Sequence, residues 1–358
     1  MKKICVIFGG SSSEHDISII TGMQLAKNYG AKEKIEKIYL SLDNRFYLAT
    51  EVQDLSKFED KQNLNLKEIV ISNGAIFTKG LFWKKYCDIE CMINCCHGGV
   101  GENGDLAGFF AVNNVVFTSS DSLTAHITMD KDLTKQFVCD IVPTIKGYRV
   151  TKTNKDEMFA IIDTELSDDL IVKPNSLGSS IGVMACDKSN YKDHVEAIFE
   201  LNDDALVEDR VVDITEYNQA CFKDKDKLVL SAIENPISKS EILSFDDKYK
   251  GQSKAKGKDR IIPAKINKKL EQKINEYTSL VYSALNIKGV ARIDYIYDTK
   301  SRELYFNEIN TVPGSMSFYL YEPIGIDYIT LVDKLVENAS KPNKYTYFDT
   351  EILKDKKI

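Results

Sequence analysis

The sequence predicts an α/β protein whose N-terminal part is built on a parallel sheet, and two observations support this fold class. First, strand-like and helix-like segments alternate: the apolar strand KICVIFGG precedes a helix from about 16 to 29 that carries an apolar stripe. The strands EKIYLSL and ECMINCC follow, as is typical of a parallel sheet. Second, two of these strands run into glycine loops at 9–10 and 98–104. Ligands of such sheets bind beyond the carboxyl ends of the strands, so both loops are candidate binding segments.

The rest of the chain continues the α/β pattern in further units. Strands are predicted near 148–151, 169–174, 205–212, 216–223 and 227–234. Helices are predicted over 122–139, 155–162, 268–285 and 328–338, the first of them as one continuous helix. We therefore expect units at 1–121, 122–211 and 212–348, followed by a polar tail at 349–358.

Composition restricts the class of protein. The chain has 358 residues, of which 43% are hydrophobic and 28% charged, as is ordinary for a soluble enzyme of two or three domains. The net charge of −7 argues against a nucleic-acid partner, because a phosphate backbone requires a basic surface. No apolar run approaches the roughly 18 residues of a membrane span, and MKKICVIFGG lacks the cleavage site of a signal peptide. We expect a cytoplasmic protein without a membrane partner.

The eight cysteines raise the question of a metal cluster. Cys87, Cys91, Cys95 and Cys96 precede His97, but their spacing lacks the C-x-x-C pairs of structural zinc sites. The favoured interpretation is a buried strand in which cysteine serves as a small apolar residue, with metal binding as the minor alternative. Scattered, reduced cysteines also fit the cytoplasm.

Two segments near the C-terminus, VARIDYIY and ELYFNEINTVPG, are predicted to form an antiparallel hairpin across the polar turn DTKSRE. Side chains two apart on a strand share a face, so Arg292 lies beside Asp294, and Glu308 beside Asn310. The side-chain oxygen atoms of Asp294, Glu308 and Asn310 are the ligands that Mg²⁺ prefers, although a solvent-exposed polar face is the alternative. The rigid turn at 311–314 is placed to aim a backbone N–H at an oxyanion.

The segment VKPNSLGSSIGV is the strongest phosphate-binding candidate. Lys173 ends a predicted strand, and Gly178, Ser179, Ser180 and Gly182 follow in a loop that can present N–H and hydroxyl donors. The chain has no P-loop and no complete G-x-G-x-x-G after its first strand. A nicotinamide-dependent dehydrogenase therefore remains only a weak alternative.

A basic segment, KYKGQSKAKGKDR at 248–260, contains five lysines and one arginine in a chain that is acidic overall. A solvated loop is one interpretation, and a lid that closes over phosphates is the other. The position of the segment does not decide between them.

Taken together, these residues resemble the ATP-grasp superfamily and, within it, the D-alanine–D-alanine ligase family. The resemblance covers nearly the whole chain and rests on ordered segments, which are FGGSSSEHDIS, HGGVGENGDLAG, TMDKDLTK, IVKPNSLGSSIGV, VEDRVVDITEYN, DKYKG, ARIDY and NEINTVPGS. It implies three α/β domains: an N-terminal parallel-sheet domain at 1–121 and two ATP-grasp lobes at 122–211 and 212–348. ATP would lie between the lobes, and a mobile lid would span 246–262.

The resemblance also implies a role for each matching residue. ATP would be bound by Lys131, Lys173, Ser180, Glu208, Glu216 and Lys248. A pair of Mg²⁺ ions, for which Mn²⁺ can substitute, would be held by Asp294, Glu308 and Asn310. The catalytic group would be Glu14, Ser179, Tyr249, Arg292 and Gly314. The amino-acid substrates would be contacted by Glu14, His97, Tyr319 and Leu320.

The implied reaction joins two D-alanine molecules through an acyl phosphate, in peptidoglycan precursor synthesis, by a cytoplasmic homodimer. One segment departs from the family pattern: SMSFYLYEP has Tyr319 where most members have a serine on the carboxylate of the second substrate. If Tyr319 lines that subsite, its hydroxyl is expected to donate to this carboxylate. D-Alanine is the favoured acceptor, with D-serine, D-lactate or another amino acid as alternatives. A non-catalytic nucleotide-binding regulator is disfavoured, because the metal-ligand set is complete.

Overall fold

The computed structural model describes residues 2–30, 32, 34–60, 65–237 and 260–342. Most of the predicted lid lies outside these residues, including Lys248 and Tyr249. The predicted tail at 349–358 also lies outside them.

The N-terminal unit is a six-stranded sheet that closes on itself. Its strands are β1 (Lys2–Gly9), β2 (Glu36–Leu40), β3 (Phe46–Leu48), β4 (Lys67–Ser72), β5 (Ala75–Lys79) and β6 (Trp83–Asn94). Its helices are α1 (His15–Tyr29), α2 (Gly99–Glu102) and α3 (Asp105–Val112). The predicted parallel sheet is confirmed for β1, which pairs in parallel with both β2 and β6.

The strands β3, β4 and β5 were not predicted, and they add an antiparallel connection between β2 and β6. A two-residue turn joins β4 to β5. Asn73 and Gly74 form it with φ of 45° and 71°, the left-handed conformation that a tight hairpin turn requires.

The central unit begins with two helices, α4 (Ser122–Met129) and α5 (Lys131–Val138), so the prediction of one continuous helix over 122–139 is wrong. Asp130 separates them because its backbone is extended, with ψ of 109°. Its carboxylate accepts the backbone N–H of Leu133 at 2.9 Å, which caps the start of α5. The break places Lys131 in the first turn of a new helix.

The central sheet has four strands in the order β7, β10, β8, β9, and every pairing is antiparallel. The strands are β7 (Gly147–Val150), β8 (Asp169–Pro174), β9 (Met184–Asp187) and β10 (Ala205–Asp209). The helices α6 (Lys155–Glu165) and α7 (Tyr191–Glu200) contribute Ile162, Val195 and Ile198 to its core. The glycine-rich loop predicted to bind phosphate connects β8 to β9.

The C-terminal unit has an antiparallel five-stranded sheet in the order β13, β12, β11, β14, β15. The strands are β11 (Ile214–Asp224), β12 (Lys227–Pro236), β13 (Arg260–Ile261), β14 (Ala291–Asp298) and β15 (Leu304–Asn310). The helices are α8 (Lys268–Ala284) and α9 (Tyr328–Glu337), with a 3₁₀ turn at Gly314–Leu320 between β15 and α9. The strands β14 and β15 confirm the predicted hairpin.

One hydrophobic cluster spans the N-terminal and C-terminal units. Phe8 and Met23 pack in it with Met316, Leu320 and Leu331. Burying these side chains together removes apolar surface of both units from water. The segment that follows β15 is therefore fixed against helix α1.

The cysteines support the interpretation as buried apolar residues. All eight are free, and seven of them are buried. Within the described ranges, no group of three or more His, Cys, Asp or Glu side chains is arranged to hold a metal ion. Within the same ranges, no helix combines the length and the apolar character needed to cross a membrane.

Candidate active site

A cleft lies where the three units meet. Its walls include Glu14 and Glu102 from the N-terminal unit, Lys131 and Gly178 from the central unit, and Glu308 and Asn310 from the C-terminal unit. Residues far apart in the sequence are thus collected at the carboxyl-end loops of the first sheet, as the glycine loops predict.

The C-terminal wall is built by the β14–β15 hairpin. Asp294 lies opposite Glu308, and Arg292 lies opposite Asn310, so the four predicted side chains share one face. Arg292 Nε and Nη2 each donate to Asp294 at 2.7 Å, and Asn310 Nδ2 donates to the same carboxylate at 3.3 Å. Burial disfavours the charge of Arg292, but Asp294, together with the nearby Tyr319 and Glu234, outweighs burial and keeps the pKa of Arg292 well above its ordinary value.

Two buried lysines of the central unit, Lys135 and Lys173, bind one buried carboxylate, Glu208. Lys173 Nζ lies 2.5 Å from Glu208 Oε2, and Lys135 Nζ binds the other oxygen of the same side chain. Burial lowers the pKa of Lys173 to about 8, although Glu308 acts in the opposite direction. In this structure the Glu208 carboxylate binds the two lysines, and its contact with ATP stays a prediction.

Sequence reasoning missed Lys135. Its signal was present, since Lys131 and Lys135 are four apart in TMDKDLTK and therefore share one face of α5. Lys131 donates to the carbonyl of Leu177 in the glycine-rich loop at 2.7 Å. Of the two lysines of α5, Lys131 thus lines the cleft, whereas Lys135 binds the buried carboxylate of Glu208.

A β-bulge brings one more side chain to the lysines. The pairing of β14 with β15 shifts between Asp294 and Tyr295, which leaves Asn307 as the extra residue. Lys173 Nζ donates to Asn307 Oδ1 at 3.3 Å. The bulge therefore links the central lobe to the strand that carries Glu308.

The glycine-rich loop contacts the N-terminal unit. Ser179 Oγ donates a hydrogen bond to Glu14, and both side chains are buried. A side chain at Gly178 would bring its Cβ within 2.8 Å of a Glu14 oxygen and would displace the Glu14 carboxylate from its present position. Ser179 and Ser180 both have φ of 57°, which forms the sharp bend of the loop. Glu14 and Ser179, both predicted as catalytic residues, thus lie together.

The structure places Glu216 on the same face of β11 as Asn218, which lies opposite Asp294. Glu216 itself lies opposite Ile296, one pair further from the hairpin's metal-ligand candidates. The contact of Glu216 with ATP stays a prediction.

The predicted substrate residue His97 is engaged within the protein. It is buried, its Nδ1 lies 2.6 Å from the carbonyl oxygen of Val312, and its Nε2 lies 2.8 Å from Thr21 Oγ1. Gly314 follows in the same turn, and a Cβ added there would meet no atom within 4 Å. The space next to the Gly314 Cα, where a side chain would begin, is therefore not filled by other described residues.

The residues predicted for the second substrate separate into two environments. Tyr319 Oη lies 3.4 Å from Glu234 Oε2, and the guanidinium of Arg260 lies 4.6 Å from the centre of its ring. Burial, with the nearby charge of Glu234, raises the pKa of Tyr319 to about 12. The side chain of Leu320 is fully buried in the cluster that joins the two units, so only its backbone could reach a substrate.

Two antiparallel lobes with lysines, a glycine-rich loop and an oxygen-rich strand hairpin around one cleft define an ATP-grasp enzyme. The family model described as the D-ala D-ala ligase N-terminus matches residues 3–120, and the model of the C-terminus matches 135–337. The chain belongs to the D-alanine–D-alanine ligase family and is an ATP-dependent ligase.

Relatives and solved structures agree with this assignment. A D-alanine–D-alanine ligase of Thermosipho melanesiensis is 30% identical to this chain over an alignment of 364 positions, gaps included, which covers 99% of each chain. One of Campylobacter lari is 32% identical, over 93% of this chain and 92% of that one. The crystal structure of the D-alanine–D-alanine ligase from Helicobacter pylori matches with a TM-score of 0.76 at 26% identity, covering 95% and 99% of the two chains. A D-Ala:D-Ser ligase from Enterococcus faecalis matches with a TM-score of 0.79 at 25% identity, covering 94% and 98%.

Proposed function

We propose that this ligase joins two D-alanine molecules through an acyl phosphate, with ATP as the energy source, to supply a peptidoglycan precursor. One observation carries the proposal: Glu14, Lys131 and Glu308, from three different units, line one cleft. Curated relatives with the name D-alanine–D-alanine ligase match over nearly the whole chain, which supports the same substrates.

ATP is proposed to bind between the two lobes. Its phosphates would lie beside Lys131 and Lys173 and against the loop that carries Ser180. Phosphoryl transfer depends on alignment and charge neutralisation rather than on covalent help from the protein, which is what such cations supply. Lys173 already holds a buried carboxylate in Glu208, so the site is built to hold negative charge.

The residues of the hairpin fit Mg²⁺. Asp294, Glu308 and Asn310 offer only oxygen donors for a metal ion, and they lie on one face of adjacent strands. When bound, Mg²⁺ would neutralise phosphate charge and orient the transferred group. Mn²⁺ prefers similar ligands.

In the first half-reaction, the carboxylate of the first D-alanine attacks the γ-phosphate, which gives an acyl phosphate and ADP. Glu14 is proposed to hold the ammonium group of this D-alanine. The hydrogen bond from Ser179 fixes the Glu14 carboxylate at the edge of the cleft. The predicted lid would exclude water, which otherwise hydrolyses the acyl phosphate.

In the second half-reaction, the amine of the acceptor attacks the acyl carbon, phosphate leaves, and the peptide bond forms. The oxyanion that develops on the acyl oxygen is proposed to be stabilised by the Arg292 guanidinium and the Gly314 amide. Arg292 is held rigidly by its two hydrogen bonds to Asp294. A preorganised cation of this kind needs no rearrangement as the charge develops.

A second candidate function uses D-serine as the acceptor. It is favoured by the structural likeness to a D-Ala:D-Ser ligase at 25% identity. If Tyr319 lines the acceptor subsite, as the sequence predicts, its contacts with Glu234 and Arg260 would shape that subsite. The curated relatives with D-alanine in both positions of their name favour D-alanine.

The decisive experiment measures phosphate release from ATP by the purified protein with a panel of D- and L-amino acids, with the dipeptide identified by mass spectrometry. We expect release with D-alanine alone and D-alanyl-D-alanine as the product. A mixed product that predominates when D-serine is added would establish the second candidate. Phosphate release without any dipeptide would contradict the ligase mechanism.

We also propose that the protein works as a homodimer in the cytoplasm. The free, buried cysteines are consistent with a reducing compartment. Size-exclusion chromatography with light scattering tests the oligomeric state: a single species at the mass of one chain would contradict the dimer.

A further inference from the structure

The backbone of one residue, Val312, is held from both sides by side chains of the N-terminal unit. Glu102 Oε1 accepts the Val312 N–H at 2.9 Å, and His97 Nδ1 lies 2.6 Å from the Val312 carbonyl oxygen. His97 lies just after the end of β6, and Glu102 ends the short helix α2. Both residues lie more than 200 positions before Val312 in the chain. The turn that follows β15 is therefore attached to a different unit through its own peptide groups.

The partners of His97 allow only one assignment of donor and acceptor to its two ring nitrogens. A carbonyl oxygen can only accept, so His97 Nδ1 must carry the hydrogen. Burial lowers the pKa of His97, which keeps the ring neutral and leaves Nε2 as an acceptor for the hydroxyl of Thr21. The backbone N–H of Ser315 donates in turn to Thr21 Oγ1 at 3.4 Å.

Glu102 binds the N–H of the same residue, Val312, whose carbonyl oxygen is bound by His97. Its second oxygen accepts the N–H of Gly98 at 2.6 Å, so both carboxylate oxygens bind backbone groups, one in each unit. These two bonds favour the ionised carboxylate. Burial and the nearby charge of Glu14 act in the opposite direction and raise the pKa of Glu102 to about 7.

The two points of attachment, Val312 and Ser315, flank Gly314, where an added Cβ would meet no atom within 4 Å. Ser315, Met316 and Ser317 follow with φ of 50°, 56° and 50°. Three consecutive non-glycine residues in the left-handed region are strained, and such a conformation persists only where the surroundings fix it. The contacts from Thr21, His97 and Glu102 supply part of that fixation.

We propose that His97 and Glu102, with Thr21 behind His97, are positioning residues that hold the turn at 311–315, and with it the Gly314 amide, in the orientation needed for the second half-reaction. This inference rests on the proposed function, because it assigns the Gly314 amide to the oxyanion. It differs from the sequence-based expectation that His97 binds substrate. An amide that acts only on the developing oxyanion contributes to kcat and hardly to KM.

Thr21→Val is the sharpest test, because it removes one hydroxyl at nearly constant volume. We expect kcat to fall about tenfold to a hundredfold, in the range for one mispositioned oxyanion donor, while the KM values of ATP and both amino acids stay within about twofold. Thr21→Ser keeps the hydroxyl and should restore kcat. Thr278→Val is the matched control: Thr278 is a buried threonine that contacts Tyr295 at 3.0 Å in the core of the C-terminal unit, so kcat should not change.

Two results would overturn the proposal. One is an unchanged kcat in Thr21→Val. The other is a His97→Ala variant whose KM for an amino acid rises while kcat is retained, since that is the behaviour of a substrate ligand.

A spectroscopic measurement separates this inference from the proposed function. The chain has four histidines, so ¹⁵N NMR of the ring nitrogens, with a His97→Asn variant for assignment, reports the His97 tautomer in the ligand-free protein. We expect a neutral ring with the hydrogen on Nδ1, whatever the substrates are. A hydrogen on Nε2 would contradict the positioning role even if the enzyme ligates D-alanine. The expected tautomer in a protein that ligates no amino acid would refute the function and leave the attachment of the turn established.

Discussion

Asp294 and Glu308 are cross-strand partners in the C-terminal hairpin, so two carboxylates lie side by side at the cleft. Like charges in directly opposite positions of a sheet repel each other. Arg292 offsets this by binding Asp294 through two hydrogen bonds of 2.7 Å. The two neighbouring carboxylates of Asp294 and Glu308 are therefore suited to bind a metal cation between them.

Glu308→Gln is expected to reduce turnover by about 100-fold or more at ordinary Mg²⁺ concentrations. The variant keeps the shape of the side chain and removes the charge of a metal ligand, which is worth several kcal/mol in the transition state. Steady-state phosphate release checks it. Glu303→Gln is the control, since Glu303 lies at the far end of the same hairpin and pairs with Lys273. Turnover close to the wild-type value in Glu308→Gln would remove Glu308 from the metal site.

The activity with ATP is expected to decline as the pH rises above about 8. Burial lowers the pKa of Lys173 to about 8, so its ammonium is charged below this pH and neutral above it. A neutral lysine no longer attracts phosphate, so kcat/KM for ATP should fall with the charged fraction. A pH profile of kcat/KM at saturating D-alanine measures it.

Lys173→Arg tests the assignment of that decline. A guanidinium stays charged up to about pH 12, so the alkaline decline at pH 8 should disappear from the profile even if the overall rate is lower. An unchanged decline in this variant would assign the titration to a different group.

Glu208→Gln is expected to destabilise the protein by about 3–5 kcal/mol, because it leaves two buried lysines without their shared carboxylate. ATP phosphates can replace the lost charge, so ATP with Mg²⁺ should raise the Tm of the variant more than that of the wild type. Chemical denaturation and thermal unfolding with and without nucleotide check both statements. Glu165→Gln, which affects an exposed pair with Lys146, should leave the stability unchanged. Equal shifts with ATP in both proteins would contradict charge replacement.

Tyr319→Phe is expected to leave the KM for the first D-alanine unchanged and to alter the KM for the second by less than about threefold. The reason is that the Tyr319 hydroxyl lies 3.4 Å from Glu234, a protein group, so the variant mainly removes an internal contact worth about 1 kcal/mol. Kinetics that resolve the two amino-acid sites check it. A rise of tenfold or more in the second KM would show that the hydroxyl turns to the acceptor carboxylate, as the sequence suggested.

The sequence by itself determined the features that depend on short-range periodicity. Alternation placed Arg292 beside Asp294 on one strand and Glu308 beside Asn310 on the other, because side chains of a strand point to opposite faces in turn. The register of the hairpin then brings Asp294 opposite Glu308. The same local rules were available where the prediction failed. Asp130 carries the capping signal that divides 122–139 into two helices, and Asn73-Gly74 is a strong hairpin signal that announces β4 and β5.

Only the tertiary structure decided which distant groups meet. Lys135 and Glu208 are 73 residues apart, and Glu102 and Val312 are 210 apart. No local pattern encodes such pairs, because they form only when separate units pack together and buried polar groups must find partners. His97 shows the difference most clearly: the sequence suggested a substrate ligand beside a glycine loop, whereas packing turned both of its ring nitrogens toward the protein. A buried imidazole satisfies its donor and its acceptor with whichever groups the fold brings to it, and that choice is made by the assembled units rather than by the loop.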